Sequence, residues 1–273
     1  MIKEKILITV KTYPSLSKKY GELVCTAGIK ENGEWIRIYP IPYRKLYVND
    51  SQYEKYRWIE CEIDKNPSDP RIESHKVNYK EIKKLDFIDT KPNWNKRREV
   101  VLKNGYCTNL DELIEKSKTE NISLATYKPT KIDDFIWKEV AREYEKDILD
   151  KLEADKRQLK LFSDPIDDVL NFKEIPKLPY EFSYVFKDDN GKSHTVMIED
   201  WEVGAAYWNF LKHYGDEKTA LEKVKDKFFN RLAQQRDLYF FMGTTRRYHG
   251  WARNPFIIIG LFYPEKDVQQ TLF

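Results

Sequence analysis

Residues 22–44 read ELVCTAGIKENGEWIRIYPIPYR. Glu22–Lys30 and Glu34–Pro40 are rich in residues that favour strands, and Glu31-Asn32-Gly33 between them is a short turn sequence, so the stretch predicts a β-hairpin. Towards the N-terminus, Lys3–Val10 is apolar enough for a buried strand. Towards the C-terminus, Arg57–Asp64 alternates strictly, with Trp58, Glu60, Glu62 and Asp64 on one face and Ile59, Cys61 and Ile63 on the other. Turn formers follow at Asn66-Pro67-Ser68-Asp69-Pro70. Four short strands joined by tight connections predict a small antiparallel barrel, OB- or PUA-like, within residues 1–105.

The middle, 106–175, reads as a helical segment and linker. Asn109–Lys118 predicts a short helix capped by Thr108 or Asn109, with Asp111 and Glu112 in its first turn. Ile132–Val140 fits a strand or a helix start equally, and Ala141–Lys156 has Ile148, Leu149 and Leu152 at helical spacing. The last unit, 176–273, is clearer. Tyr180–Lys187 and Lys192–Ile198 flank the turn Asp188-Asp189-Asn190-Gly191, and Asp200 caps a helix carrying Trp201, Gly204, Ala205, Trp208 and Leu211 on one face. A Gly215-Asp216 break precedes a second helix to about Leu232, followed by strands at Leu238–Met242 and Pro255–Phe262. The order is ββααββ, and the whole chain is α+β.

Composition bounds the function. Of 273 residues, 41% are hydrophobic and 14% aromatic, enough for a real core and incompatible with a disordered chain. No apolar run approaches a membrane span, the N-terminus lacks the features of a signal peptide, and three widely spaced cysteines form no disulfide framework, so the expected compartment is the cytoplasm. The four histidines show no ligand spacing, and there is no P-loop, GxGxxG or GxSxG, so neither a metal nor a cofactor is expected; a divalent cation enters only for a nuclease.

The net charge of +3 says little, but its distribution says more. Lys5–Gly21, Trp35–Asn49 and Leu238–Pro264 contain no Asp or Glu, carry Lys and Arg, and are dense in aromatics. Basic groups neutralise phosphates and aromatic faces stack on unpaired bases, so the pattern points to nucleic acid, DNA first. The candidate contacts are Lys11, Tyr13, Arg37, Tyr39, Arg44, Arg246, Arg247, Tyr248, Trp251 and Arg253. A plainer reading competes, in which the aromatics are core and the basic residues a solvated rim.

Two resemblances add expectations. Gln158-Leu159-Lys160-Leu161-Phe162 resembles the peptide by which many bacterial DNA-processing proteins dock on the replication sliding clamp, with Gln158 hydrogen-bonding and Leu161 and Phe162 as apolar anchors. The chain closes on a second Q-x-x-L-F segment, Gln269–Phe273. Cys25–Arg44 resembles the strand–turn–strand unit of OB-like modules in prokaryotic proteins, some associated with DNA conflict systems such as antiviral defence. That resemblance implies a concave face presenting Arg37 and Tyr39 to nucleic acid. Alternation puts Trp35 on the same face, which reads equally as core.

For catalysis the best constellation is Glu199, Asp200 and Glu202 with the distant Arg246, Arg247 and His249, as carboxylates for water or a cation and a histidine for proton transfer. Asp200 as N-cap and Glu202 in the first helical turn explain the same residues without chemistry. The leading expectation is a nucleic-acid-binding protein of DNA metabolism or anti-phage defence. The alternatives are a DNA-processing enzyme (a base-excising glycosylase or a nuclease) with Asp200, Glu199 and His249 as its catalytic groups, and a protein–protein adaptor.

Overall fold

The computed structural model describes residues 2–13, 15–17, 21–42, 53–78, 81–147, 149–150 and 176–266. The hairpin forms: β3 (Gly21–Lys30) and β4 (Trp35–Pro42) pair antiparallel, with Ile29 opposite Trp35. β1 (Ile2–Lys11) pairs with β3 on one side and with β5 (Arg57–Lys65) on the other. The ring closes through β6 (Ser74–Val77), which runs antiparallel to β5 and parallel to β4. The result is a closed five-stranded barrel, β1-β3-β4-β6-β5, with β2 (Ser15–Ser17) and β7 (Lys83–Phe87) added at its margins. Ile6, Ile8, Ile36, Ile38, Ile59, Cys61 and Ile63 fill its interior. Gly28 permits the tight closure, because a Cβ there would sit 2.4 Å from the Leu7 carbonyl oxygen.

After α1 (Asn95–Val101) and α2 (Leu110–Thr119, its cap Asn109 accepting from the Glu112 amide) the chain enters a six-stranded sheet. Its order is β8-β12-β13-β11-β10-β9, from β8 (Leu124–Tyr127), β9 (Lys131–Glu139), β10 (Tyr180–Lys187), β11 (Ser193–Ile198), β12 (Tyr239–Thr244) and β13 (Phe256–Phe262). α3 (Trp201–Tyr214) and α4 (Glu217–Lys225), the latter running on into a π-helical segment Asp226–Ala233, cover one face. The stretch expected to be helical segment and linker thus supplies two strands, of which β9 takes the strand alternative left open at Ile132–Val140. β8 is buried at all four positions and shows no alternation, while β9 is a charged edge strand whose one fully buried residue is Phe135, so neither carried a strand period.

The barrel sits on the other face of β12 and β13. Leu7, Val10, Ala27 and Ile29 pack against Tyr239, Phe241, Ile259 and Phe262 in one shared core. A bulge between Ile8 and Val10 turns Val10 to the same side as Leu7. β12 and β13 are therefore covered on both faces, which is why their sequences are continuously apolar. Each buried Phe or Leu in this shared layer contributes about 1.5–3 kcal/mol of transfer free energy, so the two modules form one packed body. Among the described residues no helix is long and apolar enough to cross a membrane.

Candidate nucleic-acid interface

The loop between β12 and β13 presents the most exposed aromatic side chain described. Trp251 is 69% exposed and Tyr248 41%. Their rings lie 5.7 Å apart, Arg247 stacks 5.4 Å from the Tyr248 ring, and the Trp251 indole N–H donates to the Arg247 carbonyl at 2.7 Å. Arg246, Arg247 and Arg253 are exposed, and among the described residues none of them pairs with a carboxylate. Gly250, at φ +77°, makes the reversal that folds the tip back, and Ala252 N–H donates to the Tyr248 carbonyl. The tip is an acid-free surface of planar cations and flat rings.

Its base is fixed by buried charge. Arg71 holds Asp69 through two hydrogen bonds, 2.9 and 2.6 Å, and donates a third to the Thr244 carbonyl at 2.6 Å. Arg37 donates to Ser74 Oγ, to Ser123 Oγ at 2.7 Å, and to the Ser123 and Thr244 carbonyls. Glu73 accepts from the Ser123 and Leu124 amides and the Ser123 hydroxyl. Two guanidiniums against two carboxylates make the cluster neutral and bind barrel to sheet. Burial opposes the Asp69 charge, but Arg71 more than compensates and holds that carboxyl at about 2.

This geometry corrects the expected barrel contact. Arg37 is 3% exposed and spends its donors inside the protein, so it has no surface to offer a polynucleotide. Tyr39 is half-buried on the same face, which is the face that carries Trp35 into the shared core. The period-2 alternation groups Trp35, Arg37 and Tyr39 on one face, and the second sheet covers Trp35 and Arg37 there.

Other expected contacts also bond within the fold, Lys11 with only part of its donor capacity. Lys11 is half-buried and donates to the Tyr53 carbonyl over the Tyr53 ring; burial lowers its pKa to about 8. Tyr13 donates to the Pro176 carbonyl, accepts from the Trp208 indole and stacks on Trp201 at 5.7 Å, joining the barrel to α3. Gly204 makes room for it, since a Cβ there would meet the Tyr13 ring at 2.3 Å. Arg44 and both clamp-like segments, Gln158–Phe162 with Gln158, Leu161 and Phe162, and Gln269–Phe273, lie outside the described residues.

The catalytic constellation does not assemble. Asp200 caps α3 through the Glu202 amide at 2.9 Å, accepts from the Leu261 amide at 3.1 Å, and takes Lys55 on both oxygens at 2.7 and 2.8 Å. Its side chain is wholly buried, and every one of those bonds is structural. Lys55 also bonds Glu202 at 3.1 Å, and although burial works against the Glu202 charge, Lys55 holds that carboxyl low. Burial raises Glu199, whose carbonyl accepts from the Tyr13 amide. His249 belongs to the opposite end of β13: its Nδ1 meets Thr244 Oγ1 at 3.1 Å, and burial, then the nearby Arg71, lower its pKa. Leu261 beside Asp200 and Phe256 opposite Thr244 are five positions apart, roughly 17 Å along a strand.

Sequence reasoning missed Lys55, Arg71 and Glu73. Each is a charge whose partners lie 2 to 173 residues away, and only Asp69-Pro70-Arg71 left a local trace.

Comparison with known proteins gives family matches and weak structural likenesses. A family model described as Domain of unknown function (DUF8757) matches residues 106–273, and another, Domain of unknown function (DUF8758), matches residues 2–103. No curated protein matches the chain. Among solved structures, a murine DNA-binding protein bound with double-stranded DNA is similar at 10% identity and a TM-score of 0.34, with 98% of this chain and 100% of that chain covered.

Proposed function

The chain belongs to the DUF8757 family, a family of domains of unknown function, and from its own geometry we propose that it is a nucleic-acid-binding protein whose contact surface is the loop 245–254. The observation that carries this reading is the exposed pair Tyr248 and Trp251 among Arg246, Arg247 and Arg253, with no carboxylate pairing them among the described residues. Guanidiniums bind phosphates with several donors each, and an exposed indole supplies a stacking face for a base. A solvated rim would explain the arginines alone. It gives no reason for leaving an indole in water beside them.

The strand order β1-β3-β4-β6-β5, with parallel β4 and β6, supports reading the barrel as OB-like. In such barrels the second and third strands carry the nucleic acid. Here the corresponding strands, β3 and β4, are covered by the second sheet, so contact passes to the loop whose base that covered face anchors. DNA is the expected polymer.

Titration of labelled single- and double-stranded oligonucleotides by fluorescence anisotropy at two salt concentrations tests the proposal. Binding that weakens steeply with salt is expected. No binding at low salt overturns it and leaves the loop to protein partners.

A further inference from the structure

A cleft of about 530 Å³ opens where the barrel, the segment leading into α1 and the end of β13 meet. It lies at the far end of β13 from the loop, roughly 20 Å away by strand length, and plays no part in the proposed function. Its volume falls within the range of about 300–1,000 Å³ usual for small-molecule sites.

Arg97 lines this cleft and is only 6% exposed. Its guanidinium lies 3.8 Å from the Tyr56 ring, 4.8 Å from Trp94 and 5.5 Å from Phe87. Its Nε donates to the Ile88 carbonyl at 2.8 Å. Among the described residues its terminal nitrogens make no hydrogen bond, and no carboxylate lies within ion-pair distance. A guanidinium has five N–H donors, so four face the cleft without a protein partner among the described residues. Stacking offsets the cost of burying it by only about 2 kcal/mol. A bound anion would satisfy those donors.

The surrounding charges agree. Lys55 is committed to Asp200 and Glu202, and Arg57 to Glu54, whereas Lys11 on the same cleft meets a carbonyl and a ring. Lys11, Lys55, Arg57 and Arg97 against Glu54, Asp200 and Glu202 leave one positive charge. The walls are also unusually aromatic. Tyr56 and Trp94 hold positive φ, 66° and 61°, strained for bulky residues, and the buried Tyr56 hydroxyl has no hydrogen-bond partner among the described residues. A site for a bare anion needs no such walls, and a site for a neutral ring needs no spare cations.

We propose that this cleft binds a nucleoside monophosphate unit, the phosphate on Arg97 and Lys11 and the base against the aromatic wall, supplied either as a free nucleotide or as the end of a strand. The test is calorimetry and tryptophan fluorescence of the full chain with adenosine monophosphate, thymidine monophosphate, adenosine and inorganic phosphate. The monophosphates should bind with a sub-millimolar Kd and adenosine at least about tenfold more weakly, a loss of about 1.4 kcal/mol. Arg97→Lys, which keeps charge but not the planar fork, should weaken the nucleotide about tenfold. Lys11→Gln should weaken it several-fold while the unliganded Tm stays near that of the parent, and this variant carries the test if Arg97→Lys does not fold.

Competition by a 5′-phosphorylated oligonucleotide, run on Arg246→Ala/Arg247→Ala protein, distinguishes a strand end, which competes, from a free nucleotide, which the strand does not displace. Nucleotide binding without oligonucleotide binding retains the cleft and removes the loop. Absence of monophosphate binding at several millimolar, or binding unchanged in both cleft variants, overturns the proposal.

Discussion

The stretches 35–39 and 245–254 have the same composition and opposite fates. Both are free of acids and mix arginine with aromatic rings. In the first, Trp35 and Arg37 are enclosed between barrel and sheet, with Arg37 donating to Ser74, Ser123 and Thr244. In the second, Trp251 and three arginines stand in solvent. The difference lies in tertiary placement. A face of β4 has a second sheet to cover it, whereas the loop projects beyond the end of its hairpin. A basic-aromatic pattern therefore marks either a polar joint between modules or an open, solvated surface, and only the topology separates the two.

The sharpest way to break this contrast is to remove the buried cations. Arg37→Ala, or Arg71→Ala with Asp69 left unpaired, should cost about 3–5 kcal/mol of unfolding free energy in denaturant titrations. A loss below about 1 kcal/mol would mean that Arg37 is not the joint described. Asp200→Asn comes next. Weakening the Lys55 pair and the cap should lower stability by about 1.5–3 kcal/mol while leaving oligonucleotide affinity of the folded protein unchanged. Loss of a turnover activity at full stability would instead restore Asp200 as a catalytic group.

On the exposed side, Trp251→Ala should weaken single-strand binding by about 1–3 kcal/mol and change stability by less than about 0.5 kcal/mol. If stability falls and affinity does not, the indole is packing rather than stacking.

Acid provides a further probe of the joint. Asp69 is held near 2 when folded, against about 3.9 unfolded, so its stabilisation is complete above about pH 4 and disappears as pH falls towards 2. The Tm should decline through that window, and Asp69→Asn should flatten the decline. The smallest expected effect is on salt dependence: each phosphate contact removed by Arg246→Ala or Arg247→Ala should reduce the slope of log K against log salt by about 1.

The sequence made local structure legible wherever the determinants were local. The Asp188–Gly191 turn, the Asn109 and Asp200 caps and the Gly215 stop (φ +71°) stand at their expected places, as do the strands around them. It was silent on β6, four residues that close the barrel through a parallel pairing to β4, and on β8, buried throughout. Neither has a period of its own. Of the basic-aromatic stretches that composition picks out, the 245–254 loop is exposed. Arg37 and Tyr39 were grouped on the correct face, but which neighbour covers that face depends on a sheet assembled from residues 124–262. Lys55 and Arg97 gave no signal, because a charge becomes informative only when its partner, or the lack of one, is known.

In the proposed mode of binding the loop, and not the barrel face, meets nucleic acid. Hydrogen exchange by mass spectrometry with and without a saturating oligonucleotide tests it directly. Amides of 245–254 should slow on binding, while those of 35–39 should be slow and equal in both states, as expected for a covered strand. New protection across 35–39 with 245–254 unchanged would contradict the account.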